Sequence, residues 1–115
     1  PTCHTGSTSC FGEVRTKARA LAFLARLEDV IAQRISDRPE GSYTARIWSQ
    51  GPRRIAQKVG EEGVEVALAA VTQADDQLIG ESADLLFHLA LLLKSRNLSL
   101  ADAVRELEKR HEAKP

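Results

Sequence analysis

The chain has 115 residues, of which 43% are hydrophobic, and its 16 basic and 16 acidic residues cancel to a formal net charge of zero. This length and composition suit one helical globular domain and argue against a disordered or fibrous chain. The balanced charge gives no overall field that would attract nucleic acid or an anionic membrane, so neither is expected as a partner.

Membrane insertion and secretion are not expected either. The longest apolar stretch, residues 85–93, is interrupted by His88 and is far shorter than the roughly 20 residues needed to cross a bilayer. No signal-peptide pattern is present, and the two cysteines, Cys3 and Cys10, lie in the first ten residues, which argues against a disulfide scaffold. We therefore expect a cytoplasmic protein. Because the chain starts at Pro1 without a methionine, we also expect a processed or truncated piece of a longer protein.

The first half of the chain predicts a tail and two helices. Residues 1–12 are rich in Thr, Ser, Gly and Cys, which is typical of a loop or tail. Apolar residues then recur at spacings of three and four and predict an amphipathic helix from about Arg15 to Arg34. A segment with proline and glycine, residues 37–41, should end it. Ser42 is expected to cap a short helix from Tyr43 to about Ser49.

The second half predicts three further helices. A long helix should run from about Pro52, whose ring suits a first helical position, to Gln73. Another should run from near Asp76 to about Arg96, followed by Asn97 in a left-handed conformation. Ser99 is expected to cap the last helix, with Asp102 as the acid of a capping box. No strand is predicted, so the expected fold class is all-α, a bundle of four to five helices.

Two acidic motifs stand on the two long helices of the second half. The first is Lys58-x-x-Glu61-Glu62-x-x-Glu65, and the second, after fifteen intervening residues, is Glu81-x-x-Asp84. At roughly 100° per residue, Lys58 and the three glutamates fall within an arc of about 100°. Apolar residues border this arc on both sides: Ile55, Val59 and Val66 on one, and Val64, Leu68 and Val71 on the other. We therefore expect these acids on the buried surface of their helix.

Buried acids of this density require a counterion. Like charges three and four apart cost about 0.2–0.5 kcal/mol each even in water, and a buried unpaired carboxylate costs several kcal/mol more. Lys58 supplies too little positive charge to offset this. The next helix is leucine-rich in nearly every direction and carries Glu81, Asp84 and His88 on one face, so antiparallel packing could join the two motifs. The expected metal ligands are Glu61, Glu62, Glu65, Glu81 and Asp84, and oxygen-only ligands favour Mg²⁺ or Mn²⁺ over zinc.

Structural interpretations of the same residues stay open. Each acidic motif alone is more often a solvated helix surface, and only the combination with apolar flanks favours a metal site. Lys58 is about as well explained by an ion pair with its neighbours as by a phosphate contact. A lone His88 on a leucine-rich helix is more often a hydrogen-bonded core residue than a ligand, and this interpretation is slightly favoured.

The motif pair resembles that of the MazG-like all-α nucleotide pyrophosphohydrolases. The surrounding segments, residues 42–45, 55–62 and 82–89, are similar to those of phosphoribosyl-ATP pyrophosphohydrolases, and the likeness covers about Leu21 to His111. The resemblance implies a dimeric enzyme of histidine biosynthesis that hydrolyses phosphoribosyl-ATP to phosphoribosyl-AMP and pyrophosphate with the help of magnesium.

The resemblance and the chemistry of the residues together suggest roles. Magnesium on the five carboxylates would offset the charge that develops on the pyrophosphate leaving group. The catalytic candidates are Glu62, which would activate the attacking water, and Lys58. The candidates for substrate binding are Ser42, Tyr43, Thr44, Arg54, Lys58 and His88.

The beginning of the chain carries a second resemblance. Cys3-His4-Thr5-Gly6 and Ser9-Cys10-Phe11 are similar to the C-terminal end of phosphoribosyl-AMP cyclohydrolases, in which such cysteines help bind zinc together with earlier residues that this chain lacks. Zinc is therefore not expected here. Residues 1–14 are interpreted as the remnant of a cyclohydrolase domain and residues 15–115 as the pyrophosphohydrolase domain of a bifunctional protein whose N-terminal domain is missing.

Two rival functions share the acidic motifs. One is a house-cleaning pyrophosphatase that acts on noncanonical or deoxynucleoside triphosphates; residues 42–45 and the Cys3–Cys10 tail favour phosphoribosyl-ATP over it. The other is a non-catalytic helical dimerisation module in which the acids are structural, and magnesium-dependent release of pyrophosphate would eliminate it.

Overall fold

The computed structural model of the chain describes residues 8–112, which form five helices. They are α1 (Thr8–Asp37), α2 (Tyr43–Ser49), α3 (Pro52–Thr72), α4 (Asp75–Lys94) and α5 (Leu100–Glu112). No strand occurs between residues 8 and 112, so the predicted all-α class and five-helix count are confirmed. In the same part of the chain, no helix is long and apolar enough to cross a bilayer.

The first helix begins earlier than the sequence predicts. The loop expected over residues 1–12 is wrong for residues 8–12, which form the first turns of α1. The single Gly12 there costs a helix only about 1 kcal/mol, and no proline stops it. The proposed domain boundary at residue 14 therefore lies inside a continuous helix. Residues 1–7, with Cys3, lie outside the described residues, and the Cys10 side chain is likewise not described.

The other helix ends follow the capping chemistry expected from the sequence. The Ala45 backbone N–H donates to Ser42 Oγ at 3.2 Å at the start of α2. Asn97 has the left-handed conformation expected after α4, with φ of 59°. The Ser99 backbone N–H donates to Asp102 Oδ2 at 2.9 Å, and the Asp102 N–H donates back to Ser99 Oγ at 3.4 Å, which completes a capping box at α5.

The core is small and lies between the middle of α1 and the other helices. The fully buried apolar cluster contains Ile31, Ile47, Ile55, Ala90, Leu91 and Leu100, so every helix contributes to it. The most extensive helix contact is between α3 and α4. This pairing brings the two acidic motifs onto neighbouring helices, as expected. The radius of gyration is 17.2 Å, compared with about 13 Å for a compact chain of this length, so the single chain is extended.

One flank of α3 faces solvent rather than the core. The buried residues of α3 are Ile55, Glu62 and Ala69, seven residues apart, which is a narrow stripe. Val64, Leu68 and Val71 are between 54% and 79% exposed. The expectation that the acidic stripe lies between two buried flanks is therefore wrong for the single chain, because a helical wheel gives the width of an apolar arc but not which part of it is covered.

A long-range hydrogen bond joins the first helix to the last. The Leu100 backbone N–H, at the start of α5, donates to Glu28 Oε2 on α1 at 2.8 Å. The first N–H groups of a helix have no partner within the helix, and a carboxylate also complements the positive end of the helix dipole. Glu28 thus fixes α5 against α1.

Candidate active site

The acidic motif of α3 places one carboxylate in the interior. Glu62 is 4% exposed, and it lies on the side of α3 that faces α4. Its Oε1 is 2.6 Å from Nδ1 of His88 on α4. Its Oε2 is 3.8 Å from Nζ of Lys58, one turn earlier on α3. The two carboxylate oxygens therefore have different surroundings: one meets a buried imidazole and the other a lysine that is partly open to solvent.

These surroundings change the acidity of Glu62. Burial raises the pKa of this carboxyl above its usual range, and the negative charge of Asp84 raises it further. The nearby His88 and Lys58 act in the opposite direction but do not cancel the effect of burial. A carboxylate with a raised pKa takes up a proton more readily than an exposed one, which suits a residue that accepts a proton from water.

His88 is buried and has polar partners at both ring nitrogens. It is 5% exposed, as the hydrogen-bonded core interpretation expected. Its Nδ1 lies 3.0 Å from the backbone carbonyl oxygen of Asp84, and its Nε2 lies 2.7 Å from the hydroxyl of Tyr43 on α2. A line of polar contacts thus runs from Tyr43 through His88 to Glu62 and links α2, α4 and α3.

Glu62 Oε1 is buried without a hydrogen bond of acceptable geometry, despite its closeness to His88. Nδ1 is aligned with the Asp84 carbonyl oxygen, so its contact with Glu62 is electrostatic rather than a well-aligned hydrogen bond. A buried carboxylate oxygen without a full partner is expensive in a folded protein. Such an atom has capacity for a further ligand.

The other four acids of the two motifs are not buried in the single chain. Glu61, Glu65 and Asp84 are exposed, and Glu81 is half-buried. The expectation of five interior carboxylates is therefore wrong for four of them. For Glu61 and Glu65 this agrees with the open flank of α3, where the neighbouring Val64 and Leu68 are exposed as well. Asp84 nevertheless lies close enough to Glu62 for its charge to act on it.

The donor atoms of the two motifs fit a hard divalent cation in their chemistry. All five side chains offer carboxylate oxygens from two packed helices, and Glu62 Oε1 lacks a full partner. Between residues 8 and 112, however, no three acidic, histidine or cysteine side chains are grouped as a metal centre. The residues therefore supply suitable ligands, whose convergence on one point requires side-chain movement.

The remaining candidate residues surround α2. Ser42 caps that helix, and Thr44 is buried. Tyr43 is 39% exposed, and its ring lies beneath the guanidinium of Arg46, at 5.3 Å from the ring centroid. Arg54, in the first turn of α3, is half-buried. The structure brings Tyr43, His88, Glu62 and Lys58 into one line of contacts.

Comparison with known proteins decides the family. A model of the phosphoribosyl-ATP pyrophosphohydrolase family matches residues 24–111, which is well over half of the chain. The chain belongs to the phosphoribosyl-ATP pyrophosphohydrolase family. The family and enzyme class expected from the sequence are thereby confirmed, and the matched range agrees with the likeness over about Leu21 to His111.

Individual relatives are about twice as long as the chain. The chain is 60% identical over 111 residues to a histidine biosynthesis bifunctional protein HisIE from Xylella fastidiosa, and this match covers 96% of the chain and 52% of the relative. The corresponding protein of Xanthomonas campestris is 58% identical over 111 residues, with 96% and 52% covered. That of Photobacterium profundum is 50% identical over 114 residues, with 96% and 55% covered. The chain spans about half the length of the curated relatives it matches.

The sequence of this phosphoribosyl-ATP pyrophosphohydrolase family member does not predict the contact between Tyr43 and His88. Both residues were expected to bind substrate, and their contact spans 45 positions. One signal was available. A histidine on a leucine-rich helix needs a polar partner if it is buried, and the chain has one tyrosine, in the short capped helix.

Proposed function

We propose that this chain hydrolyses phosphoribosyl-ATP to phosphoribosyl-AMP and pyrophosphate, a step of histidine biosynthesis. The oxygen of a water molecule attacks the α-phosphorus and forms a new P–O bond, while the bond from that phosphorus to the α–β bridging oxygen breaks. Pyrophosphate leaves with the bridging oxygen, and the proton of the water passes to a base. The observation that carries this proposal is the family match over residues 24–111, with Glu62 buried at the centre of the matched acidic motifs.

Glu62 is proposed as the base and Lys58 as its cationic neighbour. Burial raises the pKa of Glu62, so this side chain accepts a proton more readily than an ordinary carboxylate does. Lys58 lies one turn away and is about a quarter exposed, so its ammonium can reach both Glu62 and a phosphate oxygen. The position of Lys58 supports a role in holding phosphate charge next to the reacting atoms.

Glu61, Glu62, Glu65, Glu81 and Asp84 are proposed to hold magnesium, with manganese as a possible substitute. When bound, the ion supplies positive charge to the phosphate oxygens and to the pyrophosphate leaving group. Glu61, Glu65 and Asp84 lie at exposed positions, so their side chains could turn towards a common point, with Glu61 giving up its hydrogen bond from Gln57.

The substrate is proposed to lie across α2 and the start of α3. Arg54 and Lys58 would contact phosphates, since both are partly exposed on one helix, one turn apart. Tyr43 offers an exposed ring edge beside His88, and Ser42 and Thr44 hold the backbone of the same turn in place. Substitution of these residues would test the proposed substrate contacts.

The active form is proposed to be a homodimer. The exposed apolar residues of the two long helices are Val64, Leu68 and Val71 on α3 and Ile79 and Leu86 on α4. An apolar surface of this kind on a small, extended chain is typical of a surface that another protein covers. A second copy would cover this flank and bring the exposed acids next to it out of bulk water.

The relatives are named as bifunctional proteins, and this chain matches about half of each. We propose that the natural protein carries a cyclohydrolase domain before the present residues 1–14. That domain would act on the phosphoribosyl-AMP made here, so the product of one site is the substrate of the other.

The proposed function is tested by measuring pyrophosphate release. The chain is incubated with phosphoribosyl-ATP and separately with a panel of ordinary, deoxy and noncanonical nucleoside triphosphates, with and without magnesium. Magnesium-dependent turnover of phosphoribosyl-ATP in preference to the panel is expected. Preference for the panel would indicate a house-cleaning pyrophosphatase, and no turnover of any substrate would indicate a non-catalytic dimerisation module.

Two substitutions connect turnover to the acids. Glu62→Gln and Asp84→Asn preserve size but remove a charge, so each should lower kcat by at least about 100-fold while leaving the helical circular dichroism unchanged. Glu108→Gln, on the exposed surface of α5, is the matched control and should retain activity. Near wild-type activity of Glu62→Gln or Asp84→Asn at saturating magnesium would contradict the assignment.

A further inference from the structure

The geometry around His88 determines which of its nitrogens carries a proton. Nδ1 lies 3.0 Å from the Asp84 carbonyl oxygen and 2.6 Å from Glu62 Oε1, and both a carbonyl oxygen and an ionised carboxylate oxygen only accept hydrogen bonds. A bare lone pair on Nδ1 would face two negatively polarised oxygens at these distances. The proton therefore belongs on Nδ1. In the neutral ring, Nε2 is then an acceptor, and the Tyr43 hydroxyl at 2.7 Å donates to it.

This arrangement gives Tyr43 and His88 a shared role. We propose that they are positioning residues: the Tyr43 hydroxyl holds His88 with its proton on Nδ1, and the positive end of that N–H attracts Glu62 Oε1. This attraction fixes the orientation of the carboxylate that would hold the cation, with Oε2 on the side of Lys58. The inference rests on the proposed function of Glu62. It assigns His88 to the carboxylate instead of the substrate, because both of its nitrogens are occupied in the interior.

His88 also connects two of the proposed metal ligands. It touches the carboxylate of Glu62 on α3 and the backbone of Asp84 on α4. The His88 ring therefore fixes the position of α4 relative to α3 near Glu62 and Asp84. Outer partners that orient ligating side chains in this way typically change metal affinity or activity about 10–100-fold when removed.

Tyr43 contributes through α2, whose seven residues begin with it. Its ring packs edge-on against His88 at a centroid distance of 5.6 Å and near Phe87 at 6.1 Å. These ring contacts persist in a phenylalanine, so Tyr43→Phe removes the hydroxyl donor alone. The effect of this variant isolates the hydrogen bond from the packing.

The first measurement reads the tautomer directly. Long-range ¹H–¹⁵N NMR of the full chain, with His88 assigned from the signal lost in His88→Asn, should show a protonated Nδ1 and an unprotonated Nε2. This pattern should weaken or reverse in Tyr43→Phe, which no longer holds Nε2. A proton on Nε2 in the wild type would overturn the proposal, whatever the activity of the enzyme.

The second measurement reads the cation site without substrate. Titration of the chain with Mn²⁺, followed by the electron paramagnetic resonance of the free ion, gives a dissociation constant. His88→Leu should weaken binding about 10–100-fold. Tyr43→Phe should weaken it about 3–10-fold, the range of one neutral hydrogen bond. The amide of His88→Asn can replace the Nδ1–H, so this variant should bind Mn²⁺ more tightly than His88→Leu. His88→Gln places its amide one atom further out and should not recover this affinity.

Controls separate this proposal from the proposed function. Ser95→Ala deletes a partly buried hydroxyl at the end of α4, away from Glu62, and should bind Mn²⁺ as the wild type does. An active wild type with unchanged Mn²⁺ affinity in Tyr43→Phe and in His88→Leu would overturn the positioning role and leave the function intact. An inactive wild type that shows the expected tautomer would instead contradict the function.

Discussion

Glu62 shows how burial can make an acid both costly and useful. Its neighbours, His88 and Lys58, offset only part of the cost of burial, so its pKa stays raised. A group that prefers its neutral form in the folded state destabilises the fold when it is ionised. This destabilisation is absent below pH 4.5, the ordinary value, and grows as the pH rises through the folded pKa.

Glu62→Gln should therefore stabilise the metal-free protein at neutral pH. With a chelator present, its Tm at pH 7.5 should exceed that of the wild type by a few degrees, and the difference should vanish as the pH falls below about 4.5. Thermal circular dichroism over this pH range measures it. Glu61→Gln, an exposed neighbour, controls for the change in net charge. A lower Tm of Glu62→Gln at pH 7.5 would contradict the expected cost of ionisation.

The sequence predicts which residues are candidates for the site but not their surroundings. The motif spacing placed Glu62 and Asp84 on facing helices, and the structure places them within electrostatic reach. The contacts of His88 with Glu62 and Tyr43 depend on how three helices meet in space. Helical periodicity carries no information on such long-range pairs, which is why the sequence favours a core role for His88 only slightly and keeps it among the candidates for substrate binding.

At the scale of the helices, local chemistry explains most of the boundaries. Ser42, Asn97 and the Ser99–Asp102 pair are short-range signals that act within four residues, and each lies where the sequence predicted it. The predicted start of α1 was wrong because a composition rich in Thr, Ser, Gly and Cys indicated a loop over residues 8–12, where no proline stops a helix. The burial of α3 was mispredicted because its apolar arc is wider than the part that this chain covers.

The hydrogen bond from Leu100 to Glu28 gives a prediction at the same scale. Glu28→Ala should lower the free energy of unfolding by about 1–2 kcal/mol, because it leaves the first N–H of α5 without its carboxylate partner. Urea denaturation followed by circular dichroism measures the loss. Glu28→Gln keeps an acceptor oxygen and should retain more than half of the free energy of unfolding that Glu28→Ala loses. Equal destabilisation by both variants would mean that packing, not the hydrogen bond, is what Glu28 supplies.

At the scale of the whole molecule, the small core and the exposed leucines and valines have one cause: the single chain covers too little of its apolar surface. A radius of gyration of 17.2 Å and an open flank on α3 describe a single chain that leaves part of its apolar surface uncovered. This surface also explains why the acids of α3 are not enclosed. The proposed dimer would complete both the core and the acidic site.

Leu68→Glu tests this assembly. Leu68 is 54% exposed on α3, and a charge there should prevent a second copy from docking, which shifts the chain to a monomer. Sedimentation equilibrium measures the mass. Leu107→Glu, which introduces the same charge at a 52% exposed leucine of α5, is the matched control and should leave the mass unchanged. A wild type that is monomeric at all concentrations would refute the dimer without reference to any variant.

The short helix α2 contains both the single tyrosine and the single tryptophan of the sequence. Trp48 packs partly buried against the core, while the Tyr43 hydroxyl is bonded to a histidine ring. Since α2 contributes only seven of the helical residues, its detachment would scarcely alter far-ultraviolet circular dichroism. Intrinsic fluorescence would follow that event separately from the melting of the long helices, so the molecule contains its own optical probe of the region around Glu62.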